Sequence, residues 1–458
     1  MNNASGTADG YAGMDGSAVV RLLRWLFWEE PRWILQSALG VLVWFGRLLR
    51  DPFRKKEARE AEPRERLLQS GPMNWTFFLL LIALLAIGIV MMFSASYVSA
   101  QKKEGNPWHF LVRQLIFAAI GLVAMWIVSH VRLEFLSKYN GIFYVIALVL
   151  LVIVLIHPHI IPGKEKFKRW LEVPGTDITF QPSEIAKFAL ILYLASALER
   201  NQRAIRTQAT AIFPYVLPVM IFMVLIYFEN HNSALIIVAT LVLVMFFCGG
   251  AKRGWFLLLA LFAVIAAIWF FSNLDRLTAI TQDGDYAYKR VAVWIKLLTG
   301  AELSREDMQG DAWQSLQSLY AVGSGGLFGL GFGQSKQKHL YLPEPQNDFV
   351  FAIVCEELGF VRSALIILAF LVLVGVGIFI GMQCKNRFGQ LAAIGLSFKI
   401  GLQAALNFAV VTSLIPNTGI SLPLFSYGGT ALVMQLVELG VILAVARDNG
   451  RRSSHALR

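Results

Sequence analysis

Ten long apolar runs dominate the chain, at approximately 73–98, 110–130, 140–157, 184–199, 211–228, 232–249, 254–272, 351–382, 389–412 and 429–446. Each is long enough, or nearly so, to cross about 30 Å of hydrocarbon as a helix. A bilayer admits only helices or closed barrels, because no water is there to satisfy backbone polar groups. The expected fold is an all-α polytopic membrane protein of about ten transmembrane helices, with a large outer loop between spans seven and eight. With 56% hydrophobic and 16% charged residues over 458 positions, the length counts spans rather than globular domains.

Basic residues orient the runs. Arg54, Lys55, Lys56, Arg59, Arg64 and Arg66 precede the first; Arg132 and Lys138 follow the second; Arg200, Arg203 and Arg206 follow the fourth. Lys252 and Arg253, Lys385 and Arg387, and Arg451 and Arg452 continue the alternation, which places both termini in the cytoplasm. The net charge of +11 therefore reports topology, and nucleic acid is not an expected partner. Cys248, Cys355 and Cys384 have no CxxC spacing and imply neither a disulfide framework nor a zinc site. No cleavable signal peptide is evident, so the first runs are expected to act as uncleaved insertion signals. Residues 1–72 read as a cytoplasmic extension whose Trp-rich clusters, interrupted by charge, suit interfacial amphipathic helices. Residues 73–446 form the transmembrane domain, and 447–458 a cytoplasmic tail.

Two loops on the outer side are informative. The one after the third run carries Lys164, Lys166, Lys168 and Arg169, against the positive-inside tendency; a bound anion such as a phosphate or a solvated loop face would each account for it. The segment 271–347 is far longer than a connection needs, and Tyr286–Leu298 within it alternates apolar and basic residues as an interfacial helix would. Its glycine-rich passage 323–333 lacks a GK[ST] ending and a preceding strand, so it is no nucleotide loop. It suits a close-packed backbone that dips into the membrane while covered by protein.

Asp348 stands at the entrance to the eighth run, where an ionisable group is either functional or a helix cap. A helix starting there would put Glu356, eight residues on, on the same face. Lys399 and Glu438 lie mid-run, and such groups are expected to pair inside a bundle: Lys399 with Glu438 or Glu356. The prolines and glycines of 415–429 cannot form regular helix and can line a cavity.

Four passages, QPSEIAKFALILYLA at 181–195, WQSLQSLYAVGSGGLFGLGFGQSKQK at 313–338, LPEPQNDFVFAIVCEELG at 342–359 and IPNTGISLPLFSYGG at 415–429, together resemble the SEDS family, whose members include FtsW, RodA and SpoVE. The resemblance spans residues 73–446. It implies a peptidoglycan glycosyltransferase that polymerises lipid II at the outer face of the cytoplasmic membrane, beside a class B penicillin-binding protein and other division or elongation proteins. The family's essential acid falls on Asp348, which can serve as general base. The lipid pyrophosphate leaving group calls for cations or a divalent metal, Mg or Mn. Lys187, Lys168, Arg169, Lys289 and Arg290 are candidates by charge and side. Gln317, Ser318, Glu344, Ser426 and Tyr427 are further substrate-contact candidates within the motifs, and Glu344 is the alternative base. Glu229-Asn230-His231 replaces an acidic-Pro-Asp motif, Arg362 replaces a small residue and Thr430 a serine; the first of these, with the NTG at 417–419, matches division-type members better than elongation-type ones. A flippase or a recruiting scaffold would use the same spans with no chemical role for Asp348.

Overall fold

The computed structural model describes residues 71–159, 168–172, 179–272, 286–300, 302–303, 305–310 and 312–456. The extension expected over 1–72 lies outside them but for its last two residues. In order, the helices are α1 (Trp75–Glu104), α2 (His109–Ser129), α3 (Leu133–Ile156), α4 (Pro182–Arg200), α5 (Gln202–Thr207), α6 (Phe213–Phe228), α7 (Asn232–Gly249), α8 (Arg253–Ser272), α9 (Tyr286–Thr299), α10 (Arg305–Gln309), α11 (Trp313–Ser324), α12 (Val350–Gln383), α13 (Arg387–Val411) and α14 (Gly429–Ala456). Two short strands, β1 (Leu171–Glu172) and β2 (Thr179–Phe180), pair antiparallel between α3 and α4.

Each of the ten apolar runs is one of these helices. Among the described residues, seven are long and apolar enough to cross a membrane by length and composition: α1, α2, α3, α7, α12, α13 and α14. Of the others, α6 has only 16 residues, and α4 carries Glu184, Lys187, Glu199 and Arg200. Three boundaries differ by six residues or more from the hydropathy reading, the first where α1 continues past the expected end at 98 to Glu104. Helix α3 starts at Leu133 rather than near 140 because Ser137, Lys138 and Asn140 dilute the apolar signal without breaking the helix. Helix α14 runs on through the expected tail to Ala456. The protein is an integral membrane protein, and residues such as Ile116, Val123 and Ile127 on α2 stay exposed, as a face turned to lipid requires.

Helix α4 is the centre of the bundle. Every residue from Pro182 to Leu198 except Ile185 is buried, and it packs against α3, α6, α7, α13 and α14. A helix buried all round has no polar face to spare, so its Glu184 and Lys187 must find partners inside.

The glycine passage after α11 packs backbone to backbone on α12, as expected of it. Helix α12 is broken at Gly359 (φ 77°, ψ 178°). There the amides of Phe360 and Val361 donate to the carbonyls of Gly326 and Leu327, while Leu330 and Gly331 donate to those of Glu356 and Glu357. A Cβ on Gly329 would lie 2.1 Å from the Glu357 carbonyl oxygen, and one on Gly359 2.2 Å from the Gly329 nitrogen, so neither position admits a side chain. Arg362 donates to the Phe328 carbonyl at 3.0 Å and fastens the same loop.

Candidate active site

Asp348 sits on a turn that ends where α12 begins. The helix starts at Val350 with Phe349 as N-cap residue, so Asp348 lies outside it, and the expectation that it shares a helical face with Glu356 is corrected. Glu344 shapes the turn. It adopts a left-handed φ of 48°, its Oε1 pairs with Lys103 at the end of α1, and its Oε2 accepts from Gln346 at 2.9 Å and Asn347 at 3.2 Å. Gln346, 1% exposed, accepts Ser99 Oγ on its side chain at 3.3 Å and the Tyr427 amide on its carbonyl at 2.8 Å. Asn407 of α13 donates through Nδ2 to the Asp348 carbonyl at 2.7 Å and to the Ile420 carbonyl at 2.6 Å.

These contacts press Asp348 against the Asn417-Thr418-Gly419 turn. Gly419 has φ 68°, and a Cβ there would come within 3.2 Å of Asp348 Oδ2. Four elements hold the turn. Arg290 of α9 donates to the Asn417 carbonyl at 3.0 Å; Asn417 Nδ2 donates to Gln314 of α11 at 2.8 Å; Ser233 of α7 donates to the Thr418 carbonyl; Asn407 reaches the neighbouring Ile420. Helix α9 is held further by Trp294 Nε1, which donates to the Ser413 carbonyl at 3.0 Å. The non-helical segment 415–428 is satisfied by buried amides: Gln114 accepts the Gly428 amide and donates to the Ser426 carbonyl, and Gln435 accepts the Leu424 amide. Irregular backbone inside a membrane bundle needs this cover.

The other expected site residues divide. Tyr427 is half-buried on the Phe110 ring, with centroids 4.8 Å apart. Ser426 is buried and spends its Oγ on the Leu422 amide at 2.8 Å. Ser318 is fully buried and donates to the Val411 carbonyl at 2.7 Å, and Gln317 beside it is 6% exposed. Lys168 is exposed, and Arg169 donates to the Asn230 carbonyl. The side chain of Lys289 lies outside the described residues. Lys187 lies inside the bundle on α4, where it is 2% exposed and pairs with Glu184 at 2.6 Å. Glu184 also reaches Lys399 at 3.1 Å, and Lys399 reaches Glu438 at 2.6 Å. Lys399 thus pairs with Glu438, the first of its two expected alternatives, and takes Glu184 as an additional partner.

Glu356 and Glu357, both fully buried, hold the loop that leads to the Asp348 turn. Glu356 accepts Ser335 Oγ and the amides of Lys336 at 2.9 Å and Gln337 at 3.3 Å. Glu357 accepts Lys338 Nζ at 2.9 Å and Ser94 Oγ at 2.8 Å. Glu229 and His231 form a separate buried pair of groups between α6 and α7. Burial pushes the Glu229 carboxyl up to about 8 against the pull of Arg169, and neither of its oxygens has a hydrogen-bond partner among the described residues. Burial, then the charges of Arg169 and Lys187, hold the His231 imidazole well below the usual range and neutral, with Glu184 opposing. Among the described residues no group of three or more His, Cys, Asp or Glu could hold a metal.

Residues 74–451 match the profile of the FtsW, RodA and SpoVE family, described as "Cell cycle protein". The chain belongs to this family. It is 33% identical over 408 residues to a probable peptidoglycan glycosyltransferase FtsW of Trichlorobacter lovleyi, covering 87% of this chain and 96% of that one. It is 37% identical over 366 residues to the stage V sporulation protein E of Bacillus subtilis, covering 80% and 94%. Among solved structures it resembles a chain from a peptidoglycan synthase complex that coordinates polymerization and crosslinking, with TM-score 0.64 at 25% identity over 82% of this chain and 98% of that one. The rod shape determining protein RodA of Thermus thermophilus gives TM-score 0.56 at 25% identity over 82% and 97%.

Within this family fold, the residues that sequence reasoning passed over are uncharged amides. Asn407, Gln346, Gln114 and Gln435 are buried and tie loops to helices. A polar side chain inside an apolar run is costly unless it is used, and for Gln114, Asn407 and Gln435 that was the available signal.

Proposed function

We propose that the protein polymerises lipid II into glycan strands at the outer face of the cytoplasmic membrane, with both termini cytoplasmic, and that it does so in cell division. The observation that carries this reading is Asp348, held by its own backbone and by the 344–347 turn over the Asn417-Thr418-Gly419 turn, with Arg290 bound to the same turn. Asp348 takes the proton of the acceptor sugar hydroxyl as that oxygen attacks the donor's anomeric carbon. The bond from that carbon to the lipid pyrophosphate breaks, and its electron pair leaves with the phosphate. Arg290, Arg169 and Lys168 are the cations proposed to meet that charge, with Tyr427 contacting substrate. Glu344, committed to Lys103, Gln346 and Asn347, shapes the turn. A divalent cation, Mg or Mn, would supply further positive charge for the leaving diphosphate.

The names of the relatives support the glycosyltransferase activity, and the likeness to a synthase-complex chain supports a crosslinking partner, a class B penicillin-binding protein. The 37% identity to a sporulation protein favours a second reading, a sporulation-type polymerase. Filamentation on depletion during growth selects the division role.

The test uses purified protein, its penicillin-binding partner, lipid II and a divalent cation. Wild type yields glycan polymer, and Asp348→Asn lowers the rate by about 100- to 10,000-fold. Equal polymer from both overturns the base assignment, and none from either points to transport without bond formation.

A further inference from the structure

We infer that Asn407 is a positioning residue for Asp348: its carboxamide, buried inside α13, clamps the Asp348 backbone to the Ile420 backbone and so holds the carboxylate over Gly419. This inference rests on the proposed base role of Asp348. Asn407 has no exposed surface and sits in a helix whose own backbone ladder does not need it. Its two N–H groups go to carbonyls of two different non-helical segments, at 2.7 and 2.6 Å. The orientation is forced, because the opposite flip would set Oδ1 against two carbonyl oxygens. The consequence is visible at the other end of the amide, where Oδ1 is buried without a hydrogen-bond partner among the described residues. A residue that leaves one acceptor unmet in order to supply two donors is placed for what the donors hold.

What they hold is a distance. Asp348 precedes α12 and Ile420 follows the Asn417-Thr418-Gly419 turn, so the two segments meet through the Asn407 amide. The Asp348 carboxylate faces the turn at Gly419, where an added methyl group would stand 3.2 Å from Oδ2. Without the amide, the Asp348 and Ile420 carbonyls lose the donor that joins them, and the gap between the two segments opens. A catalytic group displaced by about 1 Å loses on the order of 100-fold in rate, while binding surfaces elsewhere are untouched. Asn407 has no contact with a reacting atom, so its effect belongs in kcat.

The test compares Asn407→Asp, Asn407→Leu and Asn407→Gln with wild type and Asp348→Asn, in the full protein bound to its penicillin-binding partner. Rates are normalised to the monodisperse complex, so loss of folded protein does not count as loss of turnover. Asn407→Asp and Asn407→Leu are expected to lower kcat for lipid II polymerisation at least tenfold with KM changed less than twofold. Asn407→Gln, which keeps both donors on a longer arm, should fall between them and wild type. Wild-type kcat in Asn407→Leu with Asp348→Asn inactive overturns the positioning role and leaves the base assignment standing. An active Asp348→Asn removes the base assignment itself, whatever Asn407 does. Loss of folded complex in all three variants also overturns the inference, making Asn407 a folding residue.

Discussion

Replacing Lys399 by Met keeps the length of the side chain and removes one charge from the middle of the bundle. Lys399 bridges Glu184 of α4 and Glu438 of α14, at 3.1 and 2.6 Å, with side-chain exposures of 0%, 7% and 0%. At an effective dielectric of about 20 the shorter contact alone is worth roughly 6 kcal/mol of attraction, most of it offset by taking both charges out of water. The net value of the pair is therefore small, but the cost of breaking it is not. After Lys399→Met, Glu184 still has Lys187 at 2.6 Å. Glu438 has nothing comparable: its Oε1 loses its cation and its Oε2 already lacks a hydrogen-bond partner. An abandoned buried carboxylate costs about 3–5 kcal/mol. Removing that carboxylate as well, in Lys399→Met with Glu438→Gln, leaves the neutral Glu184–Lys187 pair and should recover more than half of the loss. Thermal denaturation of the detergent-solubilised protein, followed by tryptophan fluorescence, reads Lys399→Met, Glu438→Gln and the double variant. Wild-type stability in Lys399→Met, or a double variant as unstable as the sum of the singles, would refute the reasoning.

Glu229 gives a pH signature. Its folded-state value of about 8 lies above the ordinary 4.5, so the folded protein keeps a proton that the unfolded chain releases, and stability falls as pH rises through that window by about 1.4 kcal/mol per unit. His231 has the opposite sign, its depressed value costing stability only as pH drops below about 6.5, so the range from 6.5 to 8 isolates Glu229. Glu229→Gln should flatten a decline of about 2 kcal/mol there, measured as a gap in melting temperature over wild type that widens with pH; a constant gap contradicts the assignment. Gly329→Ala should cost more than about 3 kcal/mol, combining a left-handed backbone with a Cβ driven into the Glu357 carbonyl. Gly323→Ala, with nothing within 4 Å of the added methyl, is the neutral control in the same denaturation assay.

Hydropathy located all ten apolar helices because lipid leaves the backbone no alternative to satisfying itself within each run. Its errors came where polar residues continue a helix, as at Ser137–Asn140 before the apolar part of α3. The close packing of the glycine passage was legible from composition, but its docking site was not, since the break at Gly359 exists only once two distant segments meet. Lys399 announced that it needed an acid. Choosing Glu184 over Glu356 required knowing that α4 is buried all round and that Glu356 is already satisfied by the amides of Lys336 and Gln337. Asp348 stood out as a charge at the lip of a span, whereas Asn407 carries no charge and vanishes into the average of its run.

The break at Gly359 has a mechanical consequence. Residues 350–358 and 360–383 count as one helix by their ladder, but the hydrogen bonds that would make them a single rod are made instead with the glycine passage. The short piece is therefore welded to the loop beside it and only jointed to the long piece in the membrane. Tilting the long piece turns about a socket whose seat is the loop itself, so a disturbance from the bilayer has two ways to Asp348, the glycines that form the seat and the Asn407 amide on α13.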